Sequence, residues 1–204
     1  KELKEKNMII LFGLAGSGKG TQGKALSEIF GWRWISVGQV LRDTGEYAEI
    51  MNRGELVDDD DVNRLMGAQI EKTEAAGYDV ILDGYPRDEY QAKWVVANMA
   101  DKIDGAIFLD VPKEELYERL MLRGRDDDLS RESIERRFEI AEQNYSLIFD
   151  LLKVHGIEIR YVNGVGSVEE VTDRLVDVMK EIAPEARIQT ADVNGGEIER
   201  SYGE

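Results

Sequence analysis

The fifteen residues from Met8 to Gln22, MIILFGLAGSGKGTQ, decide the fold of this chain. The apolar run Met8 to Phe12 predicts a short buried strand, and a glycine-rich turn follows it directly. Gly13, Gly18 and Lys19 match G-x-x-x-x-G-K, the pattern of a phosphate-binding loop between a strand and a helix. We therefore expect a nucleotide phosphate site at the end of the first strand.

The chemistry of this loop follows from its residue types. Glycines let successive backbone N–H groups point at one anion, and the helix predicted to open near Lys19 adds its positive end. The Lys19 ammonium can then contact the outer phosphates. Gly20 stands where the general motif has a magnesium-binding hydroxyl, and Thr21 follows it.

Length, net charge and the absence of cysteine exclude several classes of protein and site. A chain of 204 residues can form one compact domain, and a formal charge of −16 argues against nucleic-acid or anionic-membrane partners. The absence of cysteine excludes disulfides and thiolate metal sites, and no apolar run approaches the ~20 residues needed to cross a bilayer. We expect a soluble, cytoplasmic protein that gathers its few cations in one cleft.

Strand and helix patterns alternate after the loop. Strands are predicted at 8–12, 34–37, 78–82, 106–110 and 156–162, and helices at 90–100, 113–122, 132–152 and 168–182. The stretch 38–70 is predicted to be mostly helical, with turns at Gly45 and Gly54. This alternation predicts an α/β fold with a five-stranded parallel sheet covered by helices on both faces.

Two charged residues follow the third predicted strand, in VILDGYPR. Asp83 ends that strand, where a carboxylate facing the phosphate loop can hold magnesium or its bound water. Pro86 stiffens the turn, and Arg87 can contact a phosphate with two parallel hydrogen bonds. Ligands of parallel sheets collect at this edge, so we expect both side chains near Lys19.

Five separate motifs between Met8 and Ile182 resemble the adenylate kinases and the related uridylate/cytidylate kinases. GLAGSGKGTQ resembles their phosphate loop, with Ala15 where they have proline, and DGYPR resembles their DGFPR. The resemblance implies a P-loop NTPase fold within a kinase domain at 1–183. It also implies a helical nucleoside-monophosphate lobe at about 36–65, a short lid at about 124–131 without a zinc cluster, and a polar extension at 184–204.

The resemblance also implies the residues of the acceptor site. SVGQVLR places Arg42 at the acceptor phosphate, with Gln39 replacing the usual aspartate, and Glu55-Leu56-Val57 passes under the base. The implied AMP-binding residues are Val37, Arg42, Glu55, Leu56, Val57, Gly84, Tyr85, Pro86, Arg87, Gln91, Arg125 and Arg137. Val37 matches neither the threonine of adenylate kinases nor the alanine of the pyrimidine kinases. Gln91, whose amide can pair with the adenine edge, favours AMP.

Arginines dominate the predicted donor side. Arg119 and Arg123 share one helix face, and YERLMLRGRDDD followed by RESIERRF resembles the segments around the family lid. Arg137 is the implied lid arginine, with Arg136 as the alternative. The implied ATP-binding residues are Gly16, Ser17, Gly18, Lys19, Gly20, Thr21, Arg119, Arg123 and Val165.

Two further polar features have ordinary structural interpretations. Asp58 to Asp61 is interpreted as a helix N-terminus, which attracts negative charge, rather than as a metal site. His155, the single histidine, is interpreted as structural.

Together, the resemblance implies magnesium-dependent phosphoryl transfer from ATP to AMP by a monomeric enzyme. The implied catalytic residues are Lys19, Asp83, Arg87, Arg123, Arg125 and Arg137. A UMP/CMP kinase on the same fold and a non-catalytic nucleotide-binding module are the alternatives. A switch-type GTP-binding protein would need an N-K-x-D motif and a hydroxyl residue after Lys19, and the sequence has neither.

Overall fold

The computed structural model describes residues 7–125, 128 and 130–188. Positions 126, 127 and 129 of the predicted lid and positions 189–204 of the predicted extension lie outside the described residues, as do positions 1–6. No helix in the described ranges is long and apolar enough to span a membrane.

Five parallel strands form one sheet in the order β2-β3-β1-β4-β5, which confirms the predicted α/β class. The strands are β1 Met8–Phe12, β2 Arg33–Ser36, β3 Val80–Asp83, β4 Ile103–Asp110 and β5 Ile159–Asn163. β1 lies in the middle, so the phosphate loop that follows it is at the centre of the sheet edge.

Four of the five predicted strands have boundaries that differ from the observed ones by one to three residues, and β4 begins at Ile103 rather than at the predicted Ala106. β2 ends at Ser36, which pairs with the last residue of β3, so Val37 belongs to the following helix. β3 begins only at Val80, where its pairing begins, and it includes Asp83. β5 begins at Ile159, where its pairing with β4 begins, and Gly156 has a φ of +79°, outside the range of a strand.

The helices cover both faces of the sheet. They are α1 Lys19–Phe30, α2 Val37–Thr44, α3 Ala48–Asn52, α4 Asp59–Ala75, α5 Glu89–Met99, α6 Lys113–Arg123, α7 Arg131–Val154 and α8 Val168–Ile182, with a 3-10 turn at Ala100–Lys102. The helical stretch predicted over 38–70 is therefore three helices, and it continues to Ala75. The Asp58 side chain caps α4 by accepting from Asp60 N and Asp61 N, which confirms the helix N-terminus interpretation.

Alternate residues of β1 point into different cores. Ile10 and Phe12 pack in the cluster beneath α4, α5 and α7, whereas Ile9 and Leu11 pack in the cluster beneath α1 and α8. All five residues of β1 are buried, which explains why its sequence is continuously apolar. The two packed faces hold the strand ends, and therefore the phosphate loop, in place.

Candidate active site

The loop between β1 and α1 closes tightly on itself. Lys19 Nζ donates to Gly13 O at 2.6 Å and to Leu14 O at 3.0 Å, so the ammonium folds back over the loop. A β-carbon on Gly13 would lie 2.6 Å from Ser17 Oγ and 2.8 Å from Leu109 O. Only glycine fits there, which explains the first position of the motif.

Burial changes the protonation chemistry of Lys19. Desolvation lowers the pKa of Lys19 from 10.5 to about 8, although the nearby Asp83 carboxylate acts in the opposite direction. The Arg87, Arg123 and Arg137 charges contribute to this lowered pKa, after desolvation. An anion placed among these cations would favour the charged ammonium.

Asp83 is at the end of β3, beside the start of α1. Its side chain is buried, and Trp34 Nε1 donates to Asp83 Oδ2 at 3.1 Å. Desolvation raises the pKa of Asp83, while the Lys19 charge and the Trp34 hydrogen bond oppose that shift. A β-carbon on Gly20 would lie 3.8 Å from Asp83 Oδ2, so the carboxylate faces the loop where a hydroxyl side chain is usually found.

Two arginines extend the positive charge away from Lys19. A β-carbon on Gly84 would lie 3.8 Å from both Lys19 Cε and a terminal nitrogen of Arg87. One on Gly38 would lie 3.5 Å from that nitrogen of Arg87 and 3.3 Å from a terminal nitrogen of Arg42. The three cations thus follow one another along the cleft, with Arg87 between Lys19 and Arg42.

Arg119 joins the phosphate loop to the loop after β5. One terminal nitrogen donates to Ser17 O at 3.4 Å, and the other donates to Gly164 O at 3.0 Å and pairs with Glu115. The predicted donor-side residue Val165 follows Gly164, and its N–H donates to Asn163 Oδ1. Arg119 therefore places these two predicted donor-side segments side by side.

The lid arginines meet at a buried carboxylate. Arg123 binds both oxygens of Asp128, at 2.6 and 2.7 Å, and Arg137 donates to Asp128 Oδ1 at 2.7 Å. Burial alone would raise the pKa of Asp128, but the hydrogen bonds from the two arginines hold it below its usual value. Arg136, the alternative lid arginine, instead pairs with Glu55 of the predicted acceptor lobe at 3.0 Å.

The predicted charged residues share a single cleft of about 1130 Å³. The predicted residues that line it are Gly16, Ser17, Gly18, Lys19, Gly20, Thr21, Arg42, Glu55, Leu56, Asp83, Gly84, Pro86, Arg87, Arg119, Arg123, Arg125 and Arg137. They come from sequence segments more than one hundred residues apart, and the sheet edge brings them together.

Four predicted acceptor residues are buried in the protein beside this cleft. Val37, Val57 and Tyr85 belong to the hydrophobic core, and Gln91 is 1% exposed. Gln91 Oε1 accepts from Arg87 N at 2.9 Å, and Gln91 Nε2 donates to Asp59 Oδ1 at 2.8 Å. These bonds connect the predicted base reader to the predicted phosphate binder.

Two polar partners of the site were missed by sequence reasoning. One is Trp34, bonded to Asp83, and the other is Tyr145 of α7, whose hydroxyl donates to Gly13 O at 2.9 Å. Neither belongs to a motif, and an aromatic residue at a helix or strand position is typical of a core. His155, in contrast, lies just after the last residue of α7, and its Nδ1 is 2.9 Å from Leu151 O.

The donor set of the cleft suits a hard cation carried by a nucleotide. Within the described ranges, no three His, Cys, Asp or Glu side chains are grouped to hold a metal ion. One buried carboxylate, Asp83, faces the phosphate loop, together with the Ser17 and Thr21 hydroxyl residues that line the cleft. Magnesium commonly binds proteins through one or two such oxygens, keeping several waters and the phosphates of its nucleotide as ligands, so the residues present fit it.

The adenylate kinase family model matches residues 11–157 of this chain. The chain is 36% identical over 181 residues to an adenylate kinase of Synechococcus sp. (strain WH7803), covering 83% of this chain and 97% of that protein. It is 33% identical over 177 residues to an adenylate kinase of Nocardia farcinica (strain IFM 10152), covering 81% and 95%. For an adenylate kinase of Thermus thermophilus, the identity is 31% over 182 residues, covering 82% and 94%. With its parallel sheet, phosphate loop and cation-lined cleft, this chain belongs to the adenylate kinase family.

Proposed function

We propose that this chain catalyses the reversible transfer of a phosphoryl group from MgATP to AMP, giving two molecules of ADP. The observation that carries the proposal is the gathering of Lys19 and six arginines, with Asp83, along a single cleft of a chain whose net charge is −16. Two nucleotides whose phosphates meet end to end need this concentration of cations, whereas a site for one uncharged ligand does not.

Positioning and charge stabilisation supply the catalysis. The transferred phosphoryl group passes through a loose transition state with charge on its equatorial oxygens, so a general base is not required. Lys19, Arg87, Arg123, Arg125 and Arg137 surround those oxygens in this proposal. Asp83 would hold the magnesium of MgATP through its bound water, and the ion would neutralise charge on the phosphates.

The two nucleotides occupy opposite parts of the cleft. Residues 16–21, Arg119 and Val165 bind ATP, since Arg119 already joins the phosphate loop to Gly164. Arg42 and Arg87 bind the AMP phosphate, supported by the approach of both guanidinium groups to Gly38. Glu55-Leu56-Val57, Val37 and Gln91 enclose the adenine.

The short lid and acceptor lobe close over the reacting groups to exclude water. We further propose a monomeric cytoplasmic enzyme, because a single chain supplies both predicted nucleotide sites. The strong negative charge disfavours nucleic acid and anionic membranes as partners.

Turnover with AMP, UMP and CMP at fixed MgATP tests the acceptor. AMP is expected to give the highest kcat/KM, and a preference for UMP or CMP would instead support the pyrimidine nucleotide alternative. Lys19→Met is expected to lower kcat by about a hundredfold or more, because it removes a cation from the transition state. If that variant retained turnover within a few fold of the parent, the site assignment would be wrong.

A further inference from the structure

The amide of Gln91 is held between one obligatory donor and one obligatory acceptor. The backbone N–H of Arg87 can only donate, and it reaches Gln91 Oε1 at 2.9 Å. The carboxylate of Asp59 accepts from Gln91 Nε2 at 2.8 Å. These partners determine which end of the amide is oxygen and which is nitrogen, so the assignment follows from chemistry.

Its surroundings reinforce this orientation. Gln91 is 1% exposed, so water cannot easily replace either partner, and an amide rotated by 180° would place oxygen against carboxylate and N–H against N–H. The backbone of Gln91 is also fixed, because its N–H donates to Asp88 Oδ1 at the start of α5. The side chain therefore presents one polarity toward any base that reaches it.

Each amide atom still has one hydrogen-bonding position left. Oε1 has a second lone pair, and Nε2 has a second hydrogen. Together they complement the edge of a 6-aminopurine, which offers an N6 donor and an N1 acceptor. A 6-oxopurine offers the reverse, an O6 acceptor and an N1 donor, which a rotated amide would recognise.

We propose that Asp59 is a positioning residue for acceptor specificity: by holding the Gln91 amide in one orientation, it makes the site select 6-amino over 6-oxo purine nucleotides. This inference rests on the proposed function, in which Gln91 contacts the acceptor base. Asp59 acts through Gln91 and does not itself touch the substrate.

The unaltered enzyme tests the fixed orientation with three acceptors: AMP, IMP and purine riboside 5′-monophosphate, which has only hydrogen at C6. A fixed amide loses one hydrogen bond with the purine nucleotide but faces two mismatched pairs with IMP. The expected order of kcat/KM is therefore AMP, then the purine nucleotide, then IMP. A freely rotating amide would form two bonds with IMP, and IMP ranking above the purine nucleotide would overturn the proposal.

Asp59→Asn assigns the effect to this carboxylate. Asparagine has a similar volume, but it can either accept from Nε2 or donate to the Oε1 of a rotated Gln91 amide. The amide is then no longer held in one orientation. The ratio of kcat/KM for AMP to kcat/KM for IMP is therefore expected to fall about tenfold. Asp60→Asn is the matched control, because it removes the same charge at the next position, where the carboxylate accepts from the exposed Tyr90 hydroxyl. The ratio should stay within about twofold in that variant.

The possible results distinguish failure of the Asp59 proposal from failure of the proposed function. Any backbone contact with the base remains in both variants, so an unchanged AMP-to-IMP ratio in folded Asp59→Asn would refute the role of Asp59. If Asp59→Asn does not fold, the ranking of kcat/KM for the three acceptors in the unaltered enzyme still decides whether the amide is fixed. A ranking with IMP in second place would refute a fixed amide. Failure of the unaltered enzyme to prefer AMP over UMP and CMP would instead refute the proposed function.

Discussion

Trp34 and Asp83, 49 residues apart in the sequence, form a hydrogen bond of 3.1 Å between the indole N–H and a buried carboxylate oxygen. The indole ring lies against α1 at Gly23, where a β-carbon would be 2.3 Å from Trp34 Cδ1. The space left by Gly23 therefore lets the indole reach across to the strand end. The pair orients the only carboxylate that we assign to magnesium.

Trp34→Phe removes this donor while keeping an aromatic ring. Without the hydrogen bond, the pKa of Asp83 rises further and its orientation is less restricted, so the variant should need more Mg²⁺ for half-maximal velocity. We expect kcat to fall about three- to tenfold with little change in the KM for AMP. Initial rates across a magnesium titration measure both effects.

Trp94→Phe is the control for that substitution, because it makes the same chemical change elsewhere in the protein. Trp94 packs on Gly67 of α4. If Trp34→Phe and Trp94→Phe gave the same magnesium dependence as the parent, the indole of Trp34 would have only a packing role.

Nucleotide binding is expected to draw a proton onto Lys19. Its pKa of about 8 leaves the ammonium partly deprotonated near pH 8, and phosphate anions raise that pKa by favouring the charged form. Binding of ATP at pH 8 should therefore take up about half a proton per site, falling toward zero at pH 6.5. Calorimetric titration in buffers of different ionisation enthalpy measures the uptake.

Lys19→Arg keeps a cation that stays protonated throughout this range and serves as the comparison. The excess uptake of the parent over this variant at pH 8 is the predicted signal. Equal proton uptake by both proteins would show that another group is responsible.

Stability should depend on pH through Asp88. Desolvation and the neighbouring Asp59 raise the pKa of Asp88 from 3.8 to about 6. A raised carboxyl pKa means that the folded protein binds more protons than the unfolded chain between about pH 4 and 6, so this group's stabilising contribution is lost as the pH rises through that window. Asp88→Asn retains an oxygen to cap α5 but cannot ionise.

We therefore expect the free energy of unfolding of the parent, relative to Asp88→Asn, to be larger at pH 5 than at pH 8. Denaturant unfolding of both proteins at pH 5 and at pH 8 gives the difference in their free energies of unfolding at each pH. Asp150→Asn, at an exposed position on α7, controls for the loss of one negative charge. A difference that did not change with pH would contradict the assignment to Asp88.

The ion pair between Glu55 and Arg136 links the acceptor lobe to α7. Both side chains are about 40% exposed, at 39% and 42%, so the pair contributes at most about 1 kcal/mol and weakens with salt. Arg136→Ala should raise the KM for AMP about two- to fivefold at low ionic strength and less at high ionic strength, with kcat nearly unchanged. Steady-state kinetics at two salt concentrations measure this.

Arg131→Ala is the matched control, since Arg131 pairs with Glu135 within α7 itself. The experiment also distinguishes the two candidates for the lid arginine. A loss of kcat of about a hundredfold in Arg136→Ala would assign the transition-state role to Arg136 instead of Arg137.

Local patterns predicted most of the secondary structure. The apolar run before Gly13 predicted β1 and the buried sheet centre, and the helix predicted at 168–182 has the observed bounds of α8. Ser167 and Glu170 form a capping box at the start of α8, a signal carried entirely by neighbouring residues. Boundaries failed where pairing with another strand set the end, as at Ser36 and Ile159.

Motif positions predicted the charged lining of the cleft, but not how its members are held. The hydrogen bond from Tyr145 to Gly13 joins residues 132 apart, and that from Gln91 to Asp59 joins residues 32 apart. Asp59 was interpreted only as part of a helix N-terminus, a role its near neighbour Asp58 performs. No local pattern distinguishes the two aspartates.

The sequence by itself determined the strand–loop–helix unit, because apolar periodicity and glycine at restricted positions act over a few residues. Its resemblance to the family predicted the cations that line the cleft. The tertiary structure alone decided which donor meets which acceptor around Asp83, Gly13 and Gln91. Such pairs form only when the sheet and its helices bring distant segments within about 3 Å of each other. The positions of these residues in the sequence do not predict which of them will pair.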